Sequence, residues 1–494
     1  MIRNAHRRAA LVCWLAGAAS AAVAGAAVPG AATVTGAAAG VAAGAAPLPP
    51  EPDRVLARDI FRDLVALRTT HDVGTTAAAH AIERWLLTAG FDAADVTVVA
   101  PPDHPTKGNV VIRYRGTPAS RATPVLFLAH LDVVDVSRAD WTSDPFTLTE
   151  RDGFFYGRGA GDVKNGVAAL VESLLRLRRE RYVPARDLIV ALTADEEGGG
   201  DANGVEFLLS QHRELVDAGL AINLDGGGGT YRDGRRAWFT LNTSEKVYAT
   251  FVLEATSPGG HGARPGTDNS IYHLAQALGR LQALEFPVSL NATTRSSLKM
   301  MADLDPGPQS ADMRALASVP PDAAAAERLS QSASINAQLR TTCTPTLISG
   351  GEAENVLPQH ARALVQCRLL PADSIVNVQQ MLSDAIADPT LRLTLTAPPI
   401  VSPESPPSAD ILAFAAGVVH SMWPGVPIVP GMSAGYTDAR HTRNAAIPTY
   451  DLGGAWSAPG DKRAHDNDER IGVREFDESV EYTWRLLKAA GNRR

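Results

Sequence analysis

Between residues 53 and 242, segments with apolar positions three to four apart alternate with short runs that are apolar throughout. Residues 53–68 and 76–89 carry the helical spacing, the second with Thr75 placed to cap it and Gly90 to end it. Residues 96–99 and 109–114 predict strands. Residues 124–134 form the near-continuous apolar run that a strand buried on both faces requires. An amphipathic helix over 164–179, a buried strand over 187–193, a helix beginning at 202–209 and a strand over 220–224 continue the alternation. Strands interleaved with helices predict an α/β sheet with parallel strands.

The rhythm then changes. Residues 237–242 and 248–255 read as strands, 271–283 as a helix, and 291–334 as a polar, Ala-rich stretch. Strand-like segments at 341–347 and 362–369 flank the turn residues Ser349, Gly350, Gly351 and Asn355. A hairpin centred near Asn355 sets Cys343 opposite Cys367. A helix over 376–388 follows, and from about residue 402 the α/β pattern returns, ending in a helix over 475–490. This order predicts a small α+β domain, residues 243–373, inserted into an α/β domain made of residues 52–242 and 374–494.

A chain of 494 residues is too long for one ordinary core, which agrees with two domains. The net charge of -8 and the absence of a long basic run argue against nucleic acid as a partner. Arg3, Arg7 and Arg8 precede an apolar stretch at 9–22 and the small-residue pattern Ala24-Gly25-Ala26, the layout of a secretory signal peptide over residues 1–26. Residues 27–51 are an Ala/Gly-rich linker with no capacity for a packed core. No later segment is long and apolar enough to span a bilayer. The expectation is a protein exported to the periplasm or the extracellular space. There Cys13 leaves with the signal peptide, and Cys343 and Cys367 remain as a pair in an oxidising compartment.

Candidate chemistry lies at predicted strand ends, where sites of open α/β sheets form. His130 and Asp132 follow the first buried run at positions i and i+2, so that Asp132 can fix the ring nitrogen that His130 does not use. Gly157 to Gly161 form a Gly-rich loop before Asp162, without the Gly-Lys-Ser/Thr order of a phosphate loop. Asp195, Glu196 and Glu197 follow the second buried run; adjacent carboxylates repel, and two cations would make the arrangement favourable. Asp225 precedes four glycines, and His465 lies far downstream. Taken singly, each has a bland alternative: a solvated pair, a helix cap, an acidic turn, a structural histidine.

As an ordered set these motifs resemble the M20 family of metallopeptidases, which comprises carboxypeptidases, dipeptidases and N-acyl-amino-acid deacylases. The resemblance covers nearly all of the chain after residue 52. It implies a di-zinc exopeptidase-type catalytic domain with a mixed, mainly parallel sheet, and an inserted α+β lid through which a homodimer can form, although monomeric members also occur. It implies two Zn²⁺ ions, with Co²⁺ or Mn²⁺ as substitutes. His130, Asp162 and Asp225 would bind one and Asp162, Glu197 and His465 the other, with Asp162 bridging. Glu196 matches the general base and Asp132 the residue that orients His130. Ala129 stands where the family usually has Gly.

The charge balance supports the set independently: Asp162, Glu197, Asp225 and a bridging hydroxide neutralise two divalent ions, and Glu196 is left to accept a proton. Imidazoles and carboxylates without thiolates suit a catalytic zinc site. In the insertion, Ser257 to Pro265 resemble the lid motif in which His261 stabilises the developing oxyanion. Asn355 and Arg368 resemble residues of a later lid motif and are candidates for a substrate carboxylate. Thr437-Asp438-Ala439-Arg440 also matches the family, with no role assigned. The related M28 aminopeptidases share the ligand order but lack the inserted lid. The implied reaction is hydrolysis of an amide next to a free carboxylate, in a small peptide by an exopeptidase (carboxypeptidase or dipeptidase) or, alternatively, in an N-acyl amino acid. A binding protein that kept only the fold would have lost ligands or the base, and here all are present.

Overall fold

The computed structural model describes residues 46–117, 121–198, 202–458, 461 and 463–493; the expected signal peptide and nearly all of the linker lie outside them. At its centre the strand Val125–His130 is buried at every position. It runs parallel to Leu188–Thr193 on one side and to Leu220–Asn223 on the other. Thr449–Asp451 continues the parallel order beside Leu220–Asn223. Antiparallel strands extend the sheet outwards, Asn109–Tyr114 and Val96–Val99 at one side and Arg235–Glu245 toward the other. The result is a ten-stranded mixed sheet, parallel where it is most buried. Strands covered on both faces can be apolar throughout, which is why these runs lack alternation.

One face of the sheet is covered by Lys164–Arg179, which packs between Glu51–Ala66 and Val473–Asn492. Lys164–Arg179 is buried from Lys164 through Leu177 and carries Arg176, Arg178 and Arg179 in its last turn, where cations complement the helix dipole. The first helix begins at Glu51 with Pro52 in its first turn, and Ala46 is already part of the core. Packed structure therefore starts before the expected boundary at residue 52.

A second sheet has the antiparallel order Thr342–Gly350, His360–Leu369, Val247–Thr256, Arg392–Leu395. Val247, Ala249, Phe251, Leu253 and Ala255 alternate onto its buried face. There they meet Leu274 and Ala277 of helix Ser270–Gln282 and Val378 and Leu382 of helix Ile375–Ile386. This core is separate from that of the large sheet. It runs past the expected boundary at residue 373, because Ile375–Ile386 covers the sheet and Arg392–Leu395 is its edge strand. Cys343 faces Cys367 in register, and the two form a disulfide.

The stretch at 291–334, read only as polar and Ala-rich, folds into helices Ala292–Leu304, Ser310–Leu316 and Ala323–Leu329, followed by Ala333–Leu339. Leu298, Ala302, Leu316, Leu329 and Leu339 give them a core of their own. Asn291, Asp322 and Ser332 cap three of them by accepting backbone N–H bonds. Among the described residues no helix is long and apolar enough to cross a membrane.

Candidate metal centre

The central parallel strands end side by side. His130 closes Val125–His130 opposite Thr193, Asp195 to Glu197 follow Leu188–Thr193, and Asp225 lies two residues beyond Asn223. Asp162 enters from the loop before Lys164–Arg179, and His465 from the loop before Arg470–Gly472. The fold thus gathers all five expected ligands. His130 Nε2 is 3.1 Å from Asp162 Oδ1 and 3.8 Å from Asp225 Oδ1. His465 Nε2 is 2.7 Å from Glu197 Oε1 and 3.4 Å from Asp162 Oδ2. Asp162 therefore turns one oxygen toward each imidazole, the geometry of a bridging carboxylate. Two sets of ligand atoms lie within 4.8 Å of one another: His130 with Glu196 and Asp225, and His130 with Asp162 and Glu197. The first set includes Glu196, which places the expected base directly against the ligands.

Asp132 differs from its expected part. The nitrogen Nδ1 of His130 is 3.0 Å from the backbone carbonyl of Asp132, whereas the carboxylate is 3.7 Å away. The carboxylate instead accepts the backbone N–H groups of Glu196 (3.2 Å) and Glu197 (2.9 Å). Asp132 thus orients His130 through its main chain and the Glu196–Glu197 turn through its side chain.

Other supports had no role in the sequence reading. Buried Glu469 accepts N–H bonds from Gly159, Gly161 and Asp162 at 2.7–2.9 Å and pairs with Arg158 at 2.8 Å. It fixes the loop that presents Asp162. Its position four residues after His465 was the available signal. Asp438 accepts from Thr193 Oγ1 (2.8 Å) and Asn203 Nδ2 (2.7 Å), tying the Thr437–Arg440 motif to the end of the strand that Glu196 follows. Lys107 Nζ donates to Asp195 at 2.6 Å, and no periodicity marks that lysine.

The electrostatics are those of crowded acids. Burial, and then the charge of Asp162, push the Asp225 carboxyl well up. Burial does the same to Glu196 and raises Asp132 to about 6. Burial also opposes the Asp162 carboxylate, but hydrogen bonds from His130 and His465 hold it well below its usual range. His465 is pushed up to about 10 by its bonds to Asp162 and Glu197. Buried Glu196 Oε1 has no hydrogen-bond partner among the described residues. Carboxylates and imidazoles crowded in this way, with an unsatisfied acceptor among them, fit divalent cations.

The remaining candidates lie elsewhere. His261 is exposed on the two-residue strand Gly260–His261, paired with Val356–Leu357, and its Nδ1 accepts the Ala263 N–H. Asn355 is exposed beside it, its carbonyl accepting from Gly262 N at 2.8 Å. Neither hydrogen-bonds to the acidic cluster among the described residues. Arg368, on His360–Leu369, lies over Tyr248, with its Cζ 4.7 Å from the ring centroid.

An α/β sheet whose strand ends gather imidazoles and carboxylates defines the class of metal-dependent hydrolases. Within that class, the chain belongs to the peptidase family M20/M25/M40, whose model matches residues 126–489. It is 29% identical over 377 residues to the Bos taurus N-fatty-acyl-amino acid synthase/hydrolase PM20D1, covering 74% of each chain. It is 26% identical over 399 residues to the probable carboxypeptidase S-like 2 of Dictyostelium discoideum, covering 77% of this chain and 74% of the relative. Its fold matches the M20 family metallo-carboxypeptidase Sso-CP2 of Sulfolobus solfataricus (TM-score 0.67, 15% identity, 88% of this chain and 99% of that one). It also matches the Bacillus subtilis YXEP protein, described as a dinuclear metal binding peptidase from the M20 family (TM-score 0.55, 12% identity, 90% and 99% covered). The chain is a hydrolase of peptide or N-acyl amide bonds.

Proposed function

We propose that this chain is an exported, two-zinc amidohydrolase that releases an amino acid from an apolar N-acyl group. The observation that carries the metal assignment is Asp162, whose two oxygens face His130 and His465 separately. His130, Asp162 and Asp225 hold one ion, and Asp162, Glu197 and His465 the other. When bound, two such ions acidify a shared water and polarise the scissile carbonyl. Glu196, buried against the ligands, accepts the proton of the attacking water and delivers it to the leaving nitrogen. The residues of the second sheet, 243–373 and the elements that complete it, serve as a lid. It carries His261 toward the oxyanion and Arg368, with Asn355, toward the substrate carboxylate, and His261 can do so in a partner copy.

The acyl preference is supported by a cavity of about 710 Å³, within the usual range of small-molecule sites. Asp162 and Asp225 form part of its wall, where Phe154, Ala169, Leu224 and Ile471 stand among charged residues such as Arg463, Arg470 and Glu475. The 29% identity to a fatty-acyl-amino acid hydrolase favours the same reading. A carboxypeptidase or dipeptidase activity is the second reading, favoured by the likeness to carboxypeptidase S-like 2.

The test is a screen of N-acyl amino acids and dipeptides with protein loaded with Zn²⁺, Co²⁺ or Mn²⁺. Turnover of the acyl substrates ahead of dipeptides is expected; dipeptide turnover alone reverses the order of the two readings. Glu196→Gln should retain bound metal and lose about 10²–10⁴ in kcat. A near-normal rate removes Glu196 from the proton path.

A further inference from the structure

Of the three adjacent carboxylates at 195–197, the proposed reaction uses two. Asp195 is the third, fully buried and one residue before Glu196. Its backbone is left-handed, with φ +63°, a conformation that costs a residue with a side chain unless its surroundings hold it. The carboxylate supplies that hold. Oδ2 accepts the Ala202 N–H at 3.1 Å, and Oδ1 accepts from Lys107 Nζ at 2.6 Å. Gly198 closes over the same carboxylate, where no Cβ would fit. Lys107 is buried as well, and its ammonium meets three acceptors: Asp195 Oδ1, the His71 carbonyl at 3.0 Å and His71 Nδ1 at 2.9 Å.

Sheet topology explains how a residue so far along the chain arrives there. Asn109–Tyr114 runs antiparallel to Leu188–Thr193, so the start of one lies beside the end of the other. Lys107 and Asn109 therefore reach the residues that follow Thr193. Asn109 accepts the Ala194 N–H at 2.9 Å and donates to the Lys107 carbonyl at 3.2 Å. The segment is itself fixed, because the carbonyl of Thr106 accepts the N–H groups of Thr75 and Thr76.

The turn at 195–197 is thus held from two sides. Asp132 takes the N–H groups of Glu196 and Glu197, and Lys107 takes the side chain of Asp195. From this turn Glu197 reaches His465 at 2.7 Å, while Glu196 stands with His130 and Asp225. A buried carboxylate stripped of its counter-charge is strongly unfavourable, and here it would lie next to two more.

Resting on the reading given under Proposed function, we propose that Lys107 is a positioning residue of the reaction: through Asp195 it sets the turn that sends Glu197 to the metal and Glu196 to the attacking water. It cancels the one carboxylate of the triplet that neither the ions nor the proton transfer uses. His71 completes the seat of the ammonium.

The experiment compares Lys107→Met, Lys107→Arg and the double variant Lys107→Met with Asp195→Asn, all in the full-length protein. Zn²⁺ affinity is measured by competition with a chromophoric chelator, and kcat and KM at saturating Zn²⁺ on the amide that the wild type turns over best. Lys107→Met should weaken Zn²⁺ binding and lower kcat by about 10–100-fold each, the usual cost of losing support behind a metal ligand, with KM changed less than about 3-fold. Lys107→Arg keeps the charge but not the compact three-donor geometry, and should recover part of both losses. The double variant removes the stranded charge and should come back to within about 10-fold of the wild type, a coupling that an independent structural role of Lys107 would not produce. A double variant no better than Lys107→Met, or Lys107→Met with wild-type kcat and Zn²⁺ affinity, overturns the positioning role. Should Lys107→Met not fold, a double variant that folds and binds Zn²⁺ within about 10-fold of the wild type supports the role, and one that folds but falls below that overturns it. A wild type that binds Zn²⁺ yet hydrolyses no amide overturns the amidohydrolase reading, and the Zn²⁺ affinities of the same variants then decide the role of Lys107 by themselves.

Discussion

Glu469 illustrates how much of the site depends on residues that touch no substrate. Its two oxygens take three backbone N–H groups of the loop before Lys164–Arg179 and the guanidinium of Arg158. Burial pushes its carboxyl up, and the charge of Asp162 adds to that, so the bonds from Arg158 and the loop are what keep the ion pair in place. Removing one partner of a buried pair strands the other and costs about 3–5 kcal/mol. Glu469→Ala should lower the unfolding free energy by about that much in urea titrations, and weaken metal binding because Asp162 loses its fixed position. A variant with unchanged stability and metal affinity would show that the loop holds itself. Asp132 teaches a related point. Alternation along a strand placed its carboxylate beside His130, but the strand ends at His130. Beyond that end the alternation no longer applies, and the carboxylate turns to the Glu196–Glu197 backbone.

At the scale of elements, legibility followed burial pattern. The buried parallel strands were readable because runs such as 125–130 and 188–193 are apolar at every position. With their ends came His130, Glu197 and Asp225. The helices within 292–339 were not readable, because alanines such as Ala302 and Ala326 fill their small core without standing out against a polar background. Their caps at Asn291, Asp322 and Ser332 were the overlooked signal. Lys107 supports Asp195 from a loop between other elements, and long-range pairing of that kind leaves no local trace. The hairpin that aligns Cys343 with Cys367 carries its own prediction. The disulfide closes a separation of 24 residues, for which about 2–4 kcal/mol of stabilisation is typical. Cys343→Ala with Cys367→Ala should lose about that much in denaturant titrations, and kcat should stay within about 2-fold, because the strands remain paired along their length. In the unreduced, denatured wild type neither cysteine should react with an alkylating reagent, and labelling of both would contradict the bond.

The whole molecule couples these scales through the metal centre. The proposed ligands come from segments separated by more than three hundred residues in the chain, His130 at one end and His465 at the other, so an ion that binds them binds the folded state alone. By linkage, a ligand at a hundred times its dissociation constant adds about 2.7 kcal/mol to the unfolding free energy, and two sites add more. The effect also depends on pH, since burial pushes the Asp225 carboxyl well up and a cation binds its ionised form. Thermal unfolding followed during titration with Zn²⁺ should therefore shift upward with metal concentration and return on chelation. Glu196→Gln should keep the shift, because it is assigned the proton and not the ion. Asp162→Asn should abolish most of it, because one side chain faces both imidazoles. If Asp162→Asn kept the full shift while Glu196→Gln lost it, the first ligand set, in which Glu196 joins His130 and Asp225, would be the true holder of the ion, and the proton would have to be moved by another group.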